Sequence, residues 1–76
     1  MQIKFRDIHY DDKYIYALGE DLLTRNKKHI RISRTDGTDF WCEGDYETVF
    51  YRGAAVLVSK LRRKNKLSKE ESFMWE

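Results

Sequence analysis

The sequence contains no proline, one cysteine and only four glycines in 76 residues. Cys42 alone cannot close an internal disulfide, so no cystine framework supports the fold, and a lone thiol fits a reducing compartment. The glycines stand apart at 19, 37, 44 and 53, which excludes both a GxGxxG turn and a Walker phosphate loop. No apolar run approaches the ~18 residues of a membrane span. The opening Met1-Gln2-Ile3-Lys4-Phe5-Arg6 has no signal-peptide core, so the expectation is a cytoplasmic chain without membrane association.

Chemistry-bearing motifs are equally scarce. There is no CxxC, HExxH or EF-hand spacing, and the neighbours His9, Asp11 and Asp12 read more simply as the start of an element than as metal ligands. The only histidines are His9 and His29. In the hairpin register argued below, Cys42 faces the apolar side and His29 the other, out of line for a Cys–His pair. The sequence therefore predicts no enzyme, no catalytic residue, no metal and no cofactor.

What is present is charge. Charged residues make up 37% of the chain against 41% hydrophobic and 14% aromatic, a composition for one small domain with a modest core. The net charge of +2 is the remainder of five alternating blocks: −2 over 1–24, +5 over 25–34, −5 over 35–51, +6 over 52–66 and −2 over 67–76. Neighbouring elements of opposite sign can simply attract. Alternatively, Arg25, Lys27 and Lys28 fold together with Lys60, Arg62, Arg63, Lys64 and Lys66 into one basic face aimed at phosphate. A pI near 8.7 is mild for a nucleic-acid footprint.

The pattern predicts an α+β fold. Ile3 and Phe5 alternate with polar neighbours, giving a strand over 2–8 whose change of phase at Ile8 and Tyr10 points to a bulge or strand end near Asp7. Segment 12–25 reads as a second helix, with Asp11 or Asp12 as N-cap, Ile15, Leu18 and Leu22 on one stripe and Asn26 as left-handed cap. The alternative is an extra strand, favoured by β-prone Tyr14-Ile15-Tyr16. Strands 29–34 and 38–43 form a hairpin about Thr35-Asp36-Gly37. A two-residue turn would place Glu43 on the apolar face. A three-residue loop with left-handed Gly37 instead pairs Ile32 with Phe40 and Ile30 with Cys42, and that register is the one expected.

After Gly44, Asp45 caps a long helix over 45–65 with apolar residues at helical spacing. It crosses one face of an antiparallel sheet of about three strands (2–8, 29–34, 38–43). The small stretch Gly53-Ala54-Ala55 implies close approach of a strand, a helix or a second copy, so a homodimer is one expectation. Ser68-Lys69-Glu70-Glu71 matches a capping box and predicts a short C-terminal helix, with Phe73 and Trp75 docking on the core.

The surface then carries the functional reading. Trp41 lies off the apolar face, opposite Arg31, with Asp39 and Glu43 on the same side. The pair is either a local cation–π contact or an interface anchor, since tryptophan and arginine dominate binding hot spots. The leading expectation is a small non-enzymatic protein-binding module using Trp41, Arg31, Asp39 and Glu43. Small charged chains of this kind often act as phage- or mobile-element-type inhibitors or adaptors that occupy the surface of a host protein. The alternative is a small nucleic-acid-binding protein using basic residues 25–34 and 60–66.

Overall fold

The computed structural model describes residues 1–75. Five strands form one antiparallel sheet: β1 (Gln2–Tyr10), β2 (Tyr14–Asp21), β3 (Lys27–Ser33), β4 (Phe40–Cys42) and β5 (Glu71–Met74). One helix, α1 (Thr48–Lys64), connects β4 to β5. The strand order is β4-β3-β2-β1-β5, a meander of four strands closed by the C-terminal strand on the far edge. The α+β class is as the sequence predicts, but the sheet has five strands rather than three, and 12–25 and 68–75 are not helices.

The helix covers one face only. Ile3, Phe5, Ile15, Ile30 and Ile32 are fully or almost fully buried beneath it, against Phe50, Ala54 and Leu57. The β3–β4 pairing joins Ile30 with Cys42, Arg31 with Trp41 and Ile32 with Phe40, the register that the apolar pattern demands. Its loop differs from expectation. Gly37 is not in the left-handed region; Asp36 closes the loop instead, its carboxylate accepting from the Thr38 amide at 3.0 Å and hydroxyl at 2.7 Å.

β1 is longer than expected because a bulge absorbs the change of phase. Arg6 pairs with Leu18 and His9 with Tyr16, so Asp7 and Ile8 together oppose Ala17. Asp7 takes a left-handed φ of 54°, which an aspartate tolerates better than most residues, and Ile8 turns back into the core at 7% exposure.

Segment 12–25 is strand β2 and its turns. Asp11 caps no helix; its carboxylate accepts from the Lys13 and Tyr14 amides, both at 2.8 Å, and closes the β1–β2 turn. Asn26 is not the left-handed residue either. That position is Arg25, φ 65°, in a turn closed by the Arg25 amide to the Asp21 carbonyl at 2.7 Å. Strand wins because β2 sits between β1 and β3, where both sides of its backbone are hydrogen-bonded.

α1 begins at Thr48, not Asp45, with Glu47 as N-cap and no side-chain cap bond. Its other end matches expectation: Asn65 is left-handed, φ 61°, with its amide donating to the Leu61 carbonyl at 2.8 Å, and Arg62, Arg63 and Lys64 complement the helix dipole. Gly53 and Ala54 are buried against the sheet; a Cβ on Gly53 would lie 2.8 Å from Phe5 Cε2 and 2.9 Å from Ile3 Cγ2. The small residues thus admit strand β1, and Gly53 and Ala54 are not free for a second copy.

The C-terminal capping box forms half of its bonds without a helix. Glu71 reaches back to the Ser68 amide at 3.3 Å, but its other oxygen takes Lys60 Nζ at 2.6 Å, and the chain continues as β5 along β1. Phe73 and Trp75 pack partly buried against the core as expected; the Trp75 backbone also exchanges bonds with Met1 at 2.6 and 2.9 Å, and the Arg52 guanidinium lies 5.4 Å from its ring centroid.

Candidate functional site: the uncovered sheet face

Because successive strand residues point to opposite faces, everything not under α1 is displayed on the other side of the sheet. Pairing aligns these side chains in rows across the strands. One row reads Trp41, Arg31, Tyr16, His9 from β4 to β1; the next reads His29, Leu18, Arg6 from β3 to β1. No element among the described residues packs over them. The rows border a hollow of about 470 Å³ that includes Trp41, Arg31, Tyr16, His9, Leu18 and His29.

The aromatic side chains have specific contacts. His9 and Tyr16 are stacked, with centroids 4.9 Å apart and planes within 10°. Trp41 is 48% exposed on the short edge strand β4. Arg31 faces Trp41 in register, yet its guanidinium lies 4.8 Å from the Tyr14 ring centroid and 3.8 Å from Asp39 Oδ1. The local cation–π partner of Arg31 is therefore Tyr14, not Trp41 as expected. The Tyr14 hydroxyl donates to Asp39 Oδ2 at 2.7 Å, which raises its pKa above the ordinary phenol value.

Several charges on this face have a partner. Lys4 meets Glu70 at 3.2 Å, Arg6 meets the buried Glu20 at 2.7 Å, and Arg31 meets Asp39. Glu43 Oε1 accepts from the His29 amide at 3.0 Å and lies 3.1 Å from His29 Nδ1. These donors hold the Glu20 and Glu43 carboxyls below the ordinary range: the Arg6 hydrogen bond leads at Glu20 and the His29 amide at Glu43. The surface offers aromatic area with a polar rim.

All four residues expected at a partner surface, Trp41, Arg31, Asp39 and Glu43, lie along the β3–β4 side of this face. Sequence reading missed Tyr14, Tyr16, Leu18 and His9, which complete it. The signal was available in the spacing of 14, 16 and 18, but a helical reading of that segment scatters these residues around an axis.

The expected phosphate-binding residues are not gathered. Lys28 lies at the start of α1, its Nζ bonded to the Asp45 carbonyl at 2.8 Å and 3.3 Å from Glu47. Arg62 lies at the other end, donating to the Arg34 carbonyl at 3.1 Å. A helix of 17 residues spans about 25 Å, so Arg25, Lys27 and Lys28 sit at the opposite end of the molecule from Arg62, Arg63, Lys64 and Lys66. Arg25 pairs with Glu20 at 3.3 Å and Lys60 with Glu71 at 2.6 Å. Lys27, Arg63, Lys64 and Lys66 remain exposed.

The residues considered for chemistry are also apart. Cys42 faces the helix side, half-buried, and burial pushes its thiol pKa up, away from the thiolate. His9 Nδ1 lies 3.1 Å from the Asp7 carbonyl, while Asp11 is occupied by the turn. Among the described residues, no group of three or more His, Cys, Asp or Glu side chains is placed to hold a metal ion. Among the same residues, no helix is long and apolar enough to cross a membrane.

Comparison with protein-family models, with curated proteins and with solved structures gives no match, so the functional reading rests on this geometry.

Proposed function

We propose that this chain is a small non-enzymatic protein-binding module acting through its uncovered sheet face. One observation carries the reading. A half-exposed tryptophan borders a hollow with an aliphatic floor and aromatic sides, on a face where Arg6 and Arg31 each have a carboxylate nearby. Interface cores have this composition: aromatic and arginine residues enriched, unpaired charge depleted. The face would block or bridge a partner by occupying its surface, as an inhibitor or adaptor does. A phosphate-binding role would use the exposed Arg63, Lys64 and Lys66 and would leave the sheet face idle.

Affinity capture from nuclease-treated extract of the source cell, with wild-type and Trp41→Ala protein compared quantitatively, tests the proposal. The expected result is a specific protein retained by the wild type and lost with Trp41→Ala. Capture that depends on nucleic acid, or that Trp41→Ala leaves intact, contradicts it.

A further inference from the structure

The edge of the sheet farthest from Trp41 ends on unpaired main chain. The Met1 ammonium donates to the Trp75 carbonyl at 2.6 Å and the Trp75 amide to the Met1 carbonyl at 2.9 Å. These residues form a hydrogen-bonded pair of the β1–β5 ladder, and such pairs alternate, which makes Ile3–Phe73 and Phe5–Glu71 the next two. Gln2 fits this phase, its carbonyl accepting from the Leu22 amide on the other side of β1. Ser72 and Met74 therefore turn their N–H and C=O groups away from β1. Both residues are exposed, and β5 is the last strand of the sheet. Four main-chain groups thus lie in line with no strand among the described residues to receive them.

Sheet edges are ordinarily blunted by proline, by a bulge, by charge or by a very short strand. Ser72-Phe73-Met74 carries no proline and no charge, and it follows β1 without a break in register. The opposite edge differs, since β4 has three residues and is flanked by Asp39 and Glu43. Beside β5 the helix side is also open. α1 packs mainly over β1 to β4, and a hollow of about 390 Å³ remains between Arg52 and Val56 of α1 and Phe73 and Trp75.

Strand and hollow together define what fits. An added strand sets its side chains alternately on the two faces, so the residue beside Phe73 turns to the helix side and enters the hollow. Phe73, Val56 and Trp75 favour an apolar side chain there. Arg52 borders the same hollow and, among the described residues, lies within 4 Å of no carboxylate, so it favours an acidic neighbour. A second copy pairing through its own β5 brings only Glu71 to that side, and Lys60 and the Ser68 amide already hold that carboxylate. We infer that β5 receives an extended segment of another protein, with an apolar side chain beside Phe73 and an acidic one toward Arg52. Main-chain bonds to Ser72 and Met74 supply affinity and the hollow supplies selectivity. This surface goes beyond the sheet-face reading and does not depend on it.

The test selects binders for the full chain from a displayed peptide library with threonine at alternate positions and the rest randomised. Enriched peptides are then titrated while backbone amide resonances are followed by NMR. The expected peptides carry apolar and acidic residues at the randomised positions, and they shift the Ser72 and Met74 amides but not those of Arg31 and Trp41. Met74→Pro removes an outward N–H without breaking a main-chain β1–β5 bond, and Val56→Gln places a polar group in the hollow. Each should weaken the peptides about threefold to tenfold. If Met74→Pro does not fold, Val56→Gln, half-buried on α1, supplies the comparison. Failure to enrich any peptide, enrichment of basic ones, shifts centred on Trp41, or binding indifferent to the folded variants overturns the inference. Ser72 and Met74 amides that move with protein concentration alone assign the edge to a second copy and overturn it as well. Capture lost in Trp41→Ala reports on the sheet face alone, so the two readings fail separately.

Discussion

Arg31 and Trp41 face each other across the β3–β4 ladder, yet the guanidinium turns away from the indole and settles on Tyr14 and Asp39. The pair has the residue types of a self-satisfied cation–π contact but not the geometry. Trp41 stays half-exposed, and Arg31 lies 3.8 Å from the Asp39 carboxylate.

That arrangement predicts weak salt dependence. Partner binding by the wild type should change less than about threefold between about 0.05 and 0.5 M salt, because no counterions are displaced from the face. Asp39→Asn leaves Arg31 uncompensated and should steepen the dependence. Isothermal titration at several ionic strengths measures both.

Gly53→Ala separates intrinsic helix preference from packing. Alanine favours a helix interior by about 0.5–1 kcal/mol over glycine. Here the added methyl would meet Phe5 and Ile3 at 2.8–2.9 Å, and overpacking of that kind costs about 1–3 kcal/mol. A net loss of about 1–2 kcal/mol is expected in urea unfolding; a rise in midpoint would mean that β1 yields easily.

The last strand depends on an ion pair. Glu71 is buried and takes Lys60 Nζ at 2.6 Å together with the Ser68 amide. Lys60→Met strands that carboxylate and should cost about 1–3 kcal/mol, below the range for fully buried pairs because Lys60 is 27% exposed. Hydrogen exchange at residues 72–74 should accelerate ahead of exchange in β2. Uniform acceleration would show that β5 opens only with the whole molecule.

Acid should unfold the chain in one direction. Glu20, Glu43, Asp11 and Asp36 are all held below their ordinary pKa, by Arg6, by the His29 amide, by the Tyr14 and Lys13 amides, and by Thr38. A depressed folded-state pKa contributes stability that is present above the unfolded value of about 4 and is lost as pH falls through the folded value. Thermal midpoints should be flat from neutrality to about pH 5 and fall steadily below about pH 4. Arg6→Met should flatten the Glu20 part of that slope; a midpoint that rises in acid contradicts the assignment.

How much of this is visible in the chain itself differs by element. The β3–β4 register is legible because a one-residue slip would put Glu43 opposite Ile30, and the bulge at Asp7 is legible as a change of phase. β2 is not, for a physical reason: Ile15 and Ala17 face the helix while Leu18 and the tyrosines face the open side, so neither face is polar enough to show a period of two. That masking comes from the candidate site itself, because an apolar uncovered face erases the alternation that identifies a strand. β5 is hidden differently. Its Ser68–Glu71 signature favours a helix locally, and only the vacant edge of β1, more than sixty residues away in sequence, draws it into the sheet.

The account stands on which surface the partner touches, and site-directed photocrosslinking measures that directly. A photoreactive residue replaces His29, on the rim of the hollow, in one protein and Arg63, at the end of α1, in another. Each protein is irradiated in extract of the source cell. A protein adduct from position 29 and none from position 63 is the predicted result. An adduct from position 63 alone, or one to nucleic acid, would contradict it.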